Sequence, residues 1–246
     1  MDRDLLLHEF APHPTLMVIQ TVVDRPRFPV IDANNHLGHL LPGATFSGPW
    51  PTRPVEELLA VLDQAGVQVI VDLDGRWGET LRYELQRYQE PYPERFVIFS
   101  GLDYDAFARD KDFGKTLVRN LRDGVEAGAR GIKVWKPLGL TIRDTTGRLV
   151  APNDPRLDEL WATAGELKVP VLIHVADPVA FFRPLDRFNE RWEELHSHPD
   201  WHFYGSEFPS FETIIEQLAD IIMRHSDTCA GYLPYPHTTM DHGWDK

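Results

Sequence analysis

One cysteine, Cys229, stands in the 246 residues, so no intrachain disulfide can form, and the thiol content gives no sign of an oxidising compartment. Positive charge is also scarce: 25 Lys and Arg face 38 Asp and Glu, a net charge of −13 with His neutral. Such a chain is repelled by phosphate backbones, and no local basic patch offsets the repulsion, which argues against nucleic-acid binding. Long apolar runs are missing as well. No stretch reaches the roughly 18 apolar residues of a spanning helix, and the three leucines of MDRDLLLHEF are too few for a signal-peptide core. The default expectation is a cytoplasmic protein. A Gly-rich phosphate turn is absent too: the first strand runs into DANNHLGH, with no GxGxxG, which counts against a dinucleotide-binding open sheet.

What is present is the composition of a globular α/β chain, 42% hydrophobic and 26% charged. Residues 1–29 carry prolines at 12, 14, 26 and 29 and read as an N-terminal arm. From residue 30, short continuous apolar runs recur at Val30–Ile31, Val67–Leu73, Phe96–Leu102, Gly131–Trp135 and Pro170–Val175. Continuous rather than alternating runs predict parallel strands covered on both faces. Between them, helical spacing predicts helices at Val55–Gln64, Glu79–Glu90, Phe113–Ala127 and Pro155–Leu167, with Gly66 and Gly128 placed as C-caps. Further helices are expected at Asp186–His196 and Ser210–His225.

Repeats of roughly 35 residues predict a (β/α)8 TIM-barrel type of fold. Insertions at 138–154 and 178–207 would lie at its C-terminal face, where such folds build active sites. The strand pattern stops after Thr228, and the last 18 residues, 229–246, contain no convincing strand. The expectation is therefore an incomplete barrel of about five to six β/α units over 30–228, followed by a divergent tail.

Three places carry candidate chemistry. Asn34 and His36 are two apart at the end of the first strand and so are expected on one face; taken alone, His36 reads first as a hydrogen-bonded loop histidine. His174 ends the apolar strand PVLIH, at the active-site edge of a barrel, as a ligand, a base or a strand cap. Lys133 lies inside the apolar strand GIKVW, where an unpaired ammonium is costly; it must meet a carboxylate or serve a site. Lys136, at the same strand's end, is either a contact for an anionic substrate or a solvated charge.

VIDANNHLG, GIKVWKPLGL, PVLIHVADPVAFF, HPDW and FPSFETIIEQLADIIMRH, in that order and spacing, resemble the amidohydrolase-related (amidohydrolase 2) branch of the amidohydrolase superfamily. The resemblance spans residues 28 to 228. It implies a metal-dependent TIM-barrel enzyme with one divalent ion, commonly zinc, held by an H-x-H on strand one, a His on strand five and an Asp on strand eight. His36 matches the second His of the pair and His174 the strand-five ligand, while Asn34 stands where the first His belongs. The strand-six His and strand-eight Asp have no counterpart; His237 and Asp241 of the tail match no family element. Metal binding is accordingly expected to be weak or absent, with Lys133 as a catalytic candidate and Lys136 as a substrate contact.

The leading functional expectation is metal-dependent hydrolysis of a small organic substrate. Non-oxidative decarboxylation on the same scaffold is the alternative, and an inactive fragment the third reading. Strand edges left open by missing neighbours predict self-association.

Overall fold

The computed structural model describes residues 26–37, 50–226, 228 and 230–232. Its strands are β1 (Val30–Asn35), β2 (Val67–Asp72), β3 (Phe96–Ile98), β4 (Ser100–Gly101), β5 (Ile132–Val134), β6 (Val171–Ile173) and β7 (Ala230–Tyr232). The helices are α1 (Val55–Ala65), α2 (Gly78–Glu84), α3 (Tyr104–Arg109), α4 (Phe113–Ala127), α5 (Asp158–Glu166), α6 (Trp192–Ser197) and α7 (Phe211–Arg224). A π-helical turn, Leu85–Gln89, continues α2.

All strand pairs are parallel, in the orders β1-β2-β3 and β4-β5-β6-β7. Only Phe99 separates β3 from β4. Its N–H donates to the Asp72 carbonyl on one side (2.9 Å), and the Ser100 N–H donates to the Gly131 carbonyl on the other (2.9 Å). The two segments therefore occupy one strand position, and six positions follow one another in chain order. Sequential parallel neighbours without a reversal are the wall of a barrel; a doubly wound sheet would reverse. Two glycines make the junction possible. A Cβ on Gly75 would overlap the Phe99 carbonyl oxygen, and one on Gly131 would overlap the Phe99 ring.

Helix signals act locally as expected. Gly66 closes α1 in the left-handed conformation at φ 73°, and Ser210 caps α7 by accepting from the Thr213 N–H at 3.1 Å. Asp186–His196 is shorter as a helix than its spacing predicts, and α6 begins only at Trp192. Upstream, the Asp186 carboxylate accepts from the Phe188 N–H (2.8 Å). The Asn189 amide donates to the carbonyls of Ala180 (2.9 Å) and Pro184 (3.0 Å). Such side-chain bonds compete with a helical backbone.

The tail requires a correction. The expectation of no strand after Thr228 is overturned by β7, which pairs with β6 as Val171↔Ala230, Leu172↔Gly231 and Ile173↔Tyr232. Ala and Gly have little strand propensity of their own, and β6 supplies the ladder. The described residues thus build six strand positions of an incomplete (β/α)8-type barrel. Among them, no helix is long and apolar enough to cross a membrane.

Candidate active site at the barrel mouth

The C-terminal ends of β1, β2, β5 and β6 bring together the side chains that carry chemistry. Between Asp32↔Ile70 and Asn35↔Asp72 the register slips, three steps along β1 matching two along β2. This bulge breaks the simple alternation that would put Asn34 and His36 on one face. Asn34 is exposed, and its N–H donates to the Asp32 carboxylate at 3.2 Å. His36 is half-buried. Its Nδ1 lies 2.8 Å from Asp74 Oδ1, and its ring is centred 4.8 Å from the Trp135 ring.

Asp74 sits two residues beyond β2 and is buried. Beside it, Asp72 is fully buried; its Oδ1 accepts from the N–H groups of Leu37 (3.1 Å) and Asp74 (3.3 Å). Among the described residues its Oδ2 has no hydrogen-bond partner. Burial, reinforced by the charges of Asp74 and Glu84, pushes the Asp72 carboxyl well above the ordinary carboxylate range.

On β5, Lys133 is only 2% exposed, and its Nζ lies 5.3 Å from the Trp135 ring centroid. Burial pulls its pKa down to about 8, with the Asp74 charge acting in the opposite direction. Lys136 pairs with the buried Asp177, Nζ to Oδ2 at 2.7 Å, and stands 5.7 Å from the Trp201 ring and 5.8 Å from the Phe203 ring. Burial raises the Asp177 carboxyl while Lys136 opposes the rise. The pair ties the end of β5 to the 178–207 insertion that supplies both rings.

His174 follows β6 and is half-buried. Burial, then the positive charges of Lys133 and Lys136, pulls its pKa down to about 4, so the imidazole is neutral at pH 7. Two residues on, Ala176 takes a left-handed φ of 62°, a strained conformation that turns the chain towards Asp177.

Of the residues singled out in the sequence, the structure gathers His36, His174 and Lys133 into one electrostatic cluster, with Lys136 on its flank. Asn34 stays at the surface. Sequence reasoning missed Asp74 and Asp177, although carboxylates just beyond predicted barrel strands are a usable signal.

A catalytic zinc ion takes three converging protein donors. Among the described residues no group of three or more His, Cys, Asp and Glu side chains is placed to hold an ion. The His174 imidazole lies in the field of Lys133 and Lys136, His36 is paired with Asp74, and Asn34 is exposed. Of the expected donor set, the described residues hold the His36 and His174 imidazoles and an exposed Asn34. His237, Asp241 and Cys229 lie outside the described residues.

No protein-family model matches the sequence, and no curated protein does. Solved structures do. A 2,6-dihydroxybenzoate decarboxylase from Rhizobium matches at TM-score 0.52 and 14% identity, over 83% of this chain and 65% of that one. The same kind of decarboxylase complexed with 2,6-dihydroxybenzoate matches at TM-score 0.52 and 15% identity, with the same coverage. A Staphylococcus aureus protein described as an amidohydrolase matches at TM-score 0.53 and 15% identity, over 83% and 66%. The likeness to these structures is one of fold, at 14–15% identity. The chain spans about two thirds of the length of these structures, 65% in the first.

Proposed function

We propose that this chain carries the active site of an amidohydrolase-type enzyme that removes CO2 non-oxidatively from a small carboxylated organic substrate. The observation that carries the reading is the His36–Asp74 pair, bonded at 2.8 Å, in the same cluster as the buried Lys133. When a C–CO2⁻ bond breaks, its electron pair stays on carbon, and that carbon must receive a proton. His36, oriented by Asp74, is placed to deliver it as a general acid. The positive field of Lys133 stabilises the negative charge as it develops, in a site where burial strengthens that interaction. Trp135, packed on His36, offers a flat surface for a ring.

Two of the matching structures are decarboxylases of a hydroxylated benzoate, which supports this reading over hydrolysis. The described residues contain a proton donor, His36, and a cation, Lys133.

The test is a panel of ring and chain carboxylates, 2,6-dihydroxybenzoate included, followed by CO2 release and product analysis, beside a panel of esters and amides. CO2 release is expected, with kcat in His36→Gln lowered by about 100-fold or more and KM changed little. Ester or amide turnover without CO2 release would return the site to hydrolysis. No turnover of either panel would favour an inactive chain.

A further inference from the structure

We propose that Lys136 is the carboxylate anchor of the site: its ammonium, held from behind by Asp177, takes the carboxylate of a flat, apolar-bodied acid beside the rings of Trp201 and Phe203. The inference rests on the decarboxylase reading for the presence of that carboxylate, and it names the residue that selects it.

The geometry is the first support. Lys136 lies two residues beyond β5, at the barrel mouth. Its Nζ donates to Asp177 Oδ2 at 2.7 Å, with the ring centroids of Trp201 and Phe203 at 5.7 Å and 5.8 Å. An ammonium has three N–H donors and no acceptor. Among the described residues Asp177 is the one hydrogen-bond partner of Lys136, so two donors remain for a ligand. The two sides of the pair are not equally open. The Lys136 side chain is 27% exposed and that of Asp177 5%, so an arriving solute meets the cation first.

A purely structural tie accounts for less of this. β5 and β6 are already paired as far as Val134↔Ile173, so no ion pair is needed to bring their ends together. A buried ion pair is in itself a weak source of stability. Ala176 nevertheless holds a strained φ of 62° one residue before Asp177, a cost that folds retain where the aim of a side chain matters. The walls are fixed separately: His198 stacks on Trp201 with ring centroids 4.1 Å apart, and the Phe203 N–H donates to the Phe181 carbonyl at 2.9 Å. A ligand that meets an anchored cation beside fixed rings loses little to ordering them.

Charge is the second support. Lys133 and Lys136 both exert their charge on the His174 imidazole. Two cations at one mouth, in a chain of net charge −13, make a local field that favours an anionic substrate. Asp177 offsets part of that field and repels an incoming carboxylate, although it positions the ammonium. Removing the Lys136 charge and removing the Asp177 charge should therefore act in opposite directions.

The experiment is calorimetric titration of the folded full chain with benzoate and with benzamide, which share ring and shape and differ in charge. Wild type is expected to prefer benzoate by at least about tenfold. Lys136→Met is expected to remove that preference by weakening benzoate alone, and Lys136→Arg to keep most of it. Asp177→Asn is expected to tighten benzoate severalfold and leave benzamide unchanged, because an amide oxygen still accepts from the ammonium without repelling the ligand. Equal affinity for the two probes in wild type, or binding of neither, would overturn the proposal. So would a parallel loss of benzoate affinity in Lys136→Met and Asp177→Asn, the result of a structural tie. If Lys136→Met does not fold, the sign of the Asp177→Asn effect on benzoate decides. The anchor and the decarboxylase reading fail separately. Lys136-dependent benzoate binding with no CO2 release from any carboxylate would uphold the anchor alone. CO2 release with the same KM in Lys136→Met would leave decarboxylation standing and remove the anchor.

Discussion

Asp72 and Asp74 lie two residues apart and do opposite work. Asp74 accepts from the His36 imidazole, whereas Asp72 accepts from two backbone N–H groups and its second oxygen has no hydrogen-bond partner among the described residues. A neutral amide performs the backbone role as well as a carboxyl does, so Asp72→Asn is expected to leave stability at pH 7 unchanged or raise it. The sign follows from linkage. The folded-state pKa of Asp72 is raised, so above the unfolded value near 4 the unfolded chain sheds its proton first, and folding is penalised increasingly as pH rises. The advantage of the Asn variant should therefore grow from pH 4 to pH 7 in urea denaturation. A variant less stable than wild type by more than about 1 kcal/mol at pH 7 would mean that Asp72 is held ionised by a partner.

At the scale of elements, α4 packs tightly against the turn before α5. A Cβ on Gly114 would overlap the Arg156 carbonyl oxygen. That carbonyl belongs to a turn fixed by ion pairs, Arg156 with Asp144 at 2.9 Å and with Asp154 at 2.7 Å, and by the guanidinium lying 4.6 Å from the Phe113 ring centroid. The backbone there has little freedom to retreat. Gly131→Ala, by contrast, meets the Phe99 side chain, which can rotate. Thermal unfolding should show Gly114→Ala losing about 1–3 kcal/mol, and Gly131→Ala less. The reverse order would show that the junction between β3 and β4 is the stiffer of the two contacts.

At the scale of the whole molecule, His174 ties stability to pH. Its folded pKa lies near 4, below the unfolded value near 6.5, so its contribution is complete above pH 6.5 and is lost as pH falls through that window. Wild type should lose stability relative to His174→Gln by up to roughly 1.4 kcal/mol per pH unit between pH 6.5 and 4. Parallel stability curves for the two would remove His174 from the buried cluster. Assembly is the second whole-molecule expectation. Among the described residues, β1 and β7 each have a neighbour on one side only, and an open strand edge is a template for another chain. We expect the sedimentation coefficient to rise with protein concentration; a constant monomer value would count against pairing through these edges.

Much of the architecture was legible in the sequence because it is local. Continuous apolar runs marked β2, β3, β5 and β6, helical spacing marked α1, α4 and α7, and glycines marked helix ends. His36 and His174 stood out because they follow such runs. Other features depend on partners brought in from far along the chain. β7 is a strand because β6 offers it a ladder, since Ala230 and Gly231 carry almost no signal of their own. His36 meets Asp74 across 38 positions, and Lys136 meets Asp177 across 41. The bulge in β1 that separates Asn34 from His36 is set by pairing with β2. The sequence by itself determined the order of strands and helices, because period and capping act within a few residues. Tertiary structure alone decided which charges share a dry cluster, and so the protonation states of Lys133, His174 and Asp72, because Coulomb forces and desolvation depend on distances through space.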